Sequence, residues 1–95
     1  MILSSEDVKA NLKDSKGWEL ENETWIKKQF VLPTFPKAIQ FVNQMADLAE
    51  SRQHHPHITI DHKQVTVKLS TLDEGGLTQK DFESAHAFDR TYKKF

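Results

Sequence analysis

Apolar residues recur along the chain with two periods, that of an α-helix and that of a β-strand. Helical spacing begins after Ser4, recurs between Pro36 and His55, and begins again after Thr78. Ser4 and Thr78 are typical N-cap residues, and each has an aspartate three positions later. Pro56 disfavours helical backbone at the residue before it, so the second helix must end by His55. The pattern predicts three helices, the central one having the widest apolar stripe.

Alternating apolar and polar residues predict four strands between these helices. The predicted strands cover residues 18–20, 24–32, 58–61 and 65–70. Turns at 21–23 and 62–64 are short enough to join them as two hairpins. The order α-β-β-α-β-β-α predicts an α+β fold, in which a four-stranded antiparallel sheet carries the helices on one face. One domain over residues 1–95 is expected.

Composition narrows the classes of function. Thirteen basic and fourteen acidic residues give a net charge of -1, so neither nucleic acid nor a membrane surface is expected as the main partner. Cysteine is absent, which excludes disulfides, thiolate nucleophiles and cysteine-ligated zinc. The first residues lack the pattern of a secretory signal, and no apolar run approaches the roughly 20 residues of a membrane span. We expect a cytoplasmic protein.

The candidate chemistry lies in the histidines, all five of which follow residue 53. His54, His55 and His57 flank a predicted helix-to-strand junction, and Glu50 lies one helical turn before His54. Three interpretations stay open: solvated surface histidines, a metal site, or a metal-free acid–base site in which Glu50 fixes an imidazole tautomer. The absence of a His-x-x-x-His pair disfavours the metal site.

Two motifs carry a resemblance to a known family. Glu50 to Pro56 reads Glu-x-x-x-His-His-Pro, and Gly75-Gly76-Leu77-Thr78 is followed by Asp81. With the capped first helix and the order of elements, these motifs resemble the pterin-4a-carbinolamine dehydratases over nearly the whole chain. The resemblance implies a hydro-lyase that converts 4a-hydroxytetrahydropterin to quinonoid dihydropterin. It also implies pterin recycling after aromatic amino-acid hydroxylation, no metal or organic cofactor, and assembly as a homodimer or homotetramer.

The resemblance also implies the roles of particular residues. His54 and His55 would be catalytic. The residues expected to bind or support the substrate are Glu50, Pro56, Thr71 and Asp81. Thr71 would act through its backbone, and His62 is a candidate auxiliary imidazole. Asp81 is explained equally well as a helix-capping residue.

Two positions depart from the family pattern. Leu72 stands where many members have a third catalytic histidine or a tryptophan, and leucine cannot transfer a proton. His62 stands where an aromatic residue is usual, and its place in line with Ile58 and Ile60 predicts a buried packing role as readily as a catalytic one. The sequence therefore leaves open a dehydratase of reduced activity, or a non-catalytic member that binds pterin or a protein partner in the manner of a transcriptional cofactor.

Overall fold

Three helices and four strands follow the predicted order in the computed structural model, which describes all 95 residues. The elements are α1 (Ser5–Lys13), β1 (Glu19–Glu21), β2 (Trp25–Val31), α2 (Phe35–Arg52), β3 (His57–Asp61), β4 (Gln64–Leu69) and α3 (Gln79–Tyr92). Each predicted strand matches an observed one to within one residue at either end. None of the helices is long and apolar enough to cross a lipid bilayer.

The strands form one antiparallel sheet in the order β1-β2-β4-β3. Since successive side chains point to opposite faces, one face gathers the apolar residues of β2 and β4. These are Ile26, Phe30, Val65, Val67 and Leu69, none more than 1% exposed. The helices pack on this face, which confirms the predicted α+β fold.

Aromatic side chains of β2, α2 and α3 form the centre of the core. Phe30 lies with its ring centroid 4.9 Å from that of Phe41, in an edge-to-face arrangement. Phe82 and Phe88 of α3 are buried beside them in the same cluster. Burying such a side chain contributes roughly 1.5–3 kcal/mol, so these contacts dominate the packing of α2 and α3 on the sheet.

Polar side chains fix where the first two helices begin. The hydroxyl of Ser4 accepts the Asp7 N–H at 3.1 Å, which confirms the predicted cap of α1. Thr34 caps α2 by accepting the Lys37 N–H at 3.2 Å. Pro36 occupies the first turn of α2, where its missing N–H is not needed.

Histidines outside the 54–55 pair occupy three different environments. His57 is exposed at the start of β3. His62 lies in the two-residue turn between β3 and β4 with φ +54° and is exposed, so the predicted buried packing role is wrong. The chain leaves the strand at this turn, and the alternation of β3 no longer applies there. His86 of α3 is half-buried, and its Nε2 lies 3.1 Å from the Ser15 hydroxyl.

Candidate functional site

A left-handed residue at the end of α2 sets the direction of the histidine segment. Gln53 has φ +52° and ψ +42°, a conformation that ends helices and is more usual for glycine. Its N–H returns to the Glu50 carbonyl at 3.2 Å, and the His54 N–H returns to the Ala49 carbonyl at 3.1 Å. His54 is therefore tied to the last turn of α2 but lies outside the helix.

His54 is paired with Asp81 of α3. Its Nε2 lies 2.6 Å from Asp81 Oδ1, the imidazole residue is 8% exposed and the aspartate is fully buried. The sequence predicted Glu50 as a candidate orienting carboxylate, on the condition that α2 extended to His54. Because α2 ends at Arg52, the carboxylate that reaches His54 comes from a residue 27 positions later.

Two threonines hold Asp81 in place. Its Oδ2 accepts the Thr78 N–H at 2.9 Å and the Thr71 hydroxyl at 2.9 Å. The Thr71 and Thr78 hydroxyls lie 2.7 Å apart. Because the single hydroxyl proton of Thr71 is directed to Asp81, the Thr78 hydroxyl must donate to Thr71. Asp81 therefore caps α3, as one prediction held, and also contacts the histidine cluster.

This network assigns the two nitrogens of the His54 ring different roles. A carboxylate only accepts hydrogen bonds, so Nε2 carries the proton that faces Asp81. Nδ1 has no hydrogen-bond partner within the chain. Because every fully buried side-chain nitrogen and oxygen has such a partner, Nδ1 must be exposed at the surface. Nδ1 is therefore the free ring nitrogen that a ligand could reach, and the bond to Asp81 fixes the tautomer of the ring.

His55 forms a second carboxylate–imidazole pair. Its Nε2 lies 2.8 Å from Glu50 Oε1, and both side chains are exposed, by 60% and 74%. An exposed pair of this kind contributes about 0–1 kcal/mol. The carboxylate of Glu50 therefore contacts the imidazole of His55 and not that of His54, which helical spacing had suggested.

The loop from Thr71 to Leu77 lies beside Asp81. The Thr71 N–H donates to the Gly76 carbonyl at 3.0 Å, and the Thr71 carbonyl accepts the Glu74 N–H at 3.0 Å. Gly75 has φ +80°, which a side chain would strain. The backbone groups of Thr71 are thus engaged within the loop, and its hydroxyl makes the contact with the site. That contact was missed by sequence reasoning, since a threonine gives no signal of its partner.

Leu72 lies in the loop beside Asp81, whereas His62 lies apart from the paired imidazoles within one chain. Leu72 is 71% exposed at the start of the Thr71–Leu77 loop, one residue after the threonine that contacts Asp81. His62 stacks on Phe35, with ring centroids 6.3 Å apart, at the start of α2 and the far end of β3. The length of β3 separates it from His57 by about 15 Å. No three histidine or carboxylate side chains are grouped as metal ligands.

The fold and the site together define a small α+β protein with carboxylate-oriented histidines at the junction of its central helix and its sheet. The family model described as Pterin 4 alpha carbinolamine dehydratase matches residues 1–91. The chain belongs to this family.

Bacterial relatives agree with this assignment. The chain is 47% identical over 87 residues to a protein of Roseiflexus sp. (strain RS-1) whose name places it among the pterin-4-alpha-carbinolamine dehydratases, with 92% of each chain covered. A similarly named protein of Aquifex aeolicus (strain VF5) is 38% identical over 92 residues, covering 97% of this chain and 92% of the relative.

Two solved structures share the fold. A transcriptional coactivator/pterin dehydratase from Brucella melitensis matches with a TM-score of 0.92 and 27% identity, over 97% of this chain and 99% of the other. A pterin dehydratase-like protein identified as a RuBisCO assembly factor in the alpha-carboxysome matches with a TM-score of 0.68 and 19% identity. The match covers 80% of this chain and 89% of the other. At that identity, the second match shows the fold alone.

Proposed function

We propose that this protein dehydrates a 4a-hydroxytetrahydropterin to the quinonoid dihydropterin. The observation that carries the proposal is the buried His54–Asp81 pair at 2.6 Å, which leaves His54 Nδ1 free at the surface. The reaction would act in the cytoplasm, in the recycling of the pterin that aromatic amino-acid hydroxylases oxidise. No metal and no organic cofactor takes part in the proposed reaction.

The chemistry requires one proton to leave and one to be added. The N5 hydrogen is removed, the C4a=N5 double bond forms, the C4a–O bond breaks, and the departing hydroxyl is protonated to water. N5 and C4a are adjacent atoms, so one imidazole that takes the N5 proton at Nδ1 can deliver that proton to the leaving oxygen. His54 would thus end the cycle in the protonation state in which it began. A positioned proton donor of this kind supplies about 10²–10⁴-fold.

The exposed pair is suited to binding and orienting the substrate. In this proposal His55, supported by Glu50, contacts the polar edge of the pterin, and half-buried Pro56 contributes apolar surface beside it. Thr71 acts behind the site, through its hydroxyl on Asp81. Loss of His55 should therefore raise KM more than it lowers kcat, whereas loss of His54 should lower kcat.

A direct dehydration assay with 4a-hydroxytetrahydropterin tests the proposal. We expect the wild-type chain to accelerate the reaction and His54→Ala to lose most of the acceleration. His86→Gln is the matched control, because His86 contacts Ser15 away from the site and should retain full activity. A wild-type rate no higher than the uncatalysed rate would contradict the proposal.

One observation favours a second function, a non-catalytic role in binding pterin or a protein partner. Leu72 is an apolar side chain that is 71% exposed beside the site, where many family members carry an imidazole. The Brucella relative is described both as a transcriptional coactivator and as a pterin dehydratase. Calorimetry with the product pterin separates the two functions, because binding without turnover would support the second.

A further inference from the structure

The last residue of α2 reaches across to α3 beside the His54–Asp81 pair. Arg52 donates from Nε to the Ser84 hydroxyl at 3.2 Å and from a terminal guanidinium nitrogen to Glu83 Oε1 at 3.2 Å. An arginine at a helix C-terminus interacts favourably with the macrodipole even when its guanidinium points into water. The Arg52 side chain is only 31% exposed, so it lies along α3 instead of extending into solvent.

Ser84 gives this contact a buried acceptor. It is fully buried in α3, where alanine would favour the helix more and would bury no polar group. Its hydroxyl accepts the hydrogen bond from Arg52 Nε, and loss of the guanidinium would take that partner from a buried oxygen. The Glu83 side chain is 57% exposed, so its ion pair with Arg52 is of the surface kind that contributes little. The bond to Ser84 is therefore the specific contact of this arginine.

The Arg52–Ser84 and His54–Asp81 bonds join α2 and the residues that follow it to α3 at two neighbouring points. Arg52 and His54 are separated by one residue, so their Cα atoms are at most about 7.6 Å apart. Asp81 and Ser84 are three positions apart in α3, so their side chains are neighbours on the helix surface. One contact leaves two segments free to rotate about it, whereas two contacts also fix their relative orientation.

Gln53 links the two contacts rigidly. It has φ +52°, and its backbone N–H and side-chain amide donate to the Glu50 carbonyl at 3.2 Å and 2.8 Å. The residue between Arg52 and His54 is thus held in one conformation by the last turn of α2. A shift of Arg52 relative to α3 would therefore be passed on to His54 and would change its distance from Asp81.

We propose that Arg52 is a positioning residue, whose bond to Ser84 holds His54 in the orientation in which Nε2 faces Asp81. The effect on catalysis rests on the proposed dehydratase function, whereas the effect on the His54–Asp81 bond does not. A misplacement of about 1 Å in a catalytic group can cost about 10²-fold in rate. Loss of the Arg52–Ser84 bond should therefore lower kcat by about 10- to 100-fold, with a smaller change in KM.

Ser84→Ala tests the proposal with little disturbance of the fold, because it removes one oxygen atom and favours the helix. Its readout besides kcat is the NMR resonance of the proton on His54 Nε2. Exchange of this proton with solvent should become about tenfold faster or more, the factor that a hydrogen bond to a charged group is worth. Arg52→Met should have the same effects, and the double variant should add nothing, because each change removes the same bond.

Glu83→Gln is the matched control. It weakens the exposed ion pair of Arg52 and leaves the bond to Ser84 intact, so kcat and the exchange rate should stay at their wild-type values. Unfolding in urea, measured on all variants, separates a positioning role from a merely structural one.

Three results would overturn the positioning role. The first is Ser84→Ala with unchanged exchange of the His54 Nε2 proton, whether or not its stability falls. The second is additive effects of Ser84→Ala and Arg52→Met. The third is a wild-type proton that exchanges too fast to be observed, since the pair would then not be held at all. Faster exchange in Ser84→Ala, with no dehydration by the wild-type chain, would support the positioning role and contradict the dehydratase function alone.

Discussion

Replacing Asp81 by asparagine separates the orienting role of its carboxylate from its size. Asp81 accepts three hydrogen bonds, from His54 Nε2 at 2.6 Å and from the Thr71 hydroxyl and Thr78 N–H at 2.9 Å. An amide keeps one oxygen and turns the other into a donor. If the amide NH2 faced Thr78, it would meet a backbone N–H that cannot turn away. The NH2 group should therefore face His54, and the Nε2 of His54 must then become the acceptor.

The consequence for His54 is a reversed tautomer, with its proton on Nδ1 and no free nitrogen to accept the substrate proton. Loss of a correctly oriented acid–base group lowers kcat by about 10²–10⁴-fold. Replacing charge-assisted bonds in a buried site costs about 1–3 kcal/mol of unfolding free energy. For a chain of this size, such a loss lowers Tm by about 4–8 °C per kcal/mol.

The assay combines urea unfolding, dehydration kinetics and the ¹⁵N chemical shifts of the His54 ring nitrogens. Asp73→Asn is the matched control, because Asp73 is exposed in the neighbouring loop and makes no contact with His54. It should leave stability, tautomer and rate unchanged. An Asp81→Asn chain whose His54 proton stays on Nε2, or whose kcat equals that of wild type, would refute the reasoning.

Three further predictions concern the surroundings of this network. Thr71→Val removes the hydroxyl that bonds Asp81 and should cost about 1–3 kcal/mol in urea unfolding, whereas Thr71→Ser keeps the hydroxyl and should restore most of it. Leu72→His should change stability by less than about 0.5 kcal/mol, because the side chain is exposed. It should raise the dehydration rate of the wild-type chain by about tenfold or more, and no increase would count against an acid–base role at position 72. The pKa of Glu21 lies below its ordinary value of 4.5, because its carboxylate accepts hydrogen bonds from Lys68, which has the larger effect, and from Lys27. The charged Glu21 carboxylate should therefore stabilise the fold above pH 4.5, and this stabilisation should be lost as the pH falls through the lowered pKa. The difference in unfolding free energy between wild type and Glu21→Gln should accordingly shrink when unfolding is measured from about pH 7 down to about pH 3.

Most of the fold could be predicted from periodicity, because every element carries its own local signal. Capping at Ser4, the proline in the first turn of α2 and the alternation in β4 each depend on residues close in sequence. Pro56 correctly predicted that α2 ends by His55, but not that its last residue is Arg52. Gln53 adopts a left-handed conformation without being glycine, and its backbone N–H and side-chain amide both donate to the Glu50 carbonyl.

The sequence motif supplied the residues of the candidate site, but it did not predict which carboxylate pairs with which imidazole. His54, His55, Glu50 and Asp81 all came from the motif, yet pairing by helical spacing assigned a carboxylate to the wrong imidazole. The partner of His54 lies 27 residues away, and a contact of that range depends on how α3 packs against α2. Local spacing carries no information about such packing.

The cap of α3 and the chemistry of His54 depend on the same carboxylate. Asp81 accepts the N–H of Thr78, which begins α3, through one oxygen and orients the imidazole through the other. Asp81 was expected either to cap α3 or to border the site, and in the structure it caps α3 and also contacts His54. Because α3 packs its apolar seam on the core, the position of Asp81 is fixed by the burial of Phe82 and Phe88 as much as by its own bonds. The tautomer of His54 is therefore held by the packing of the whole helix, so core variants that shift α3 should alter kcat even where the histidines are intact.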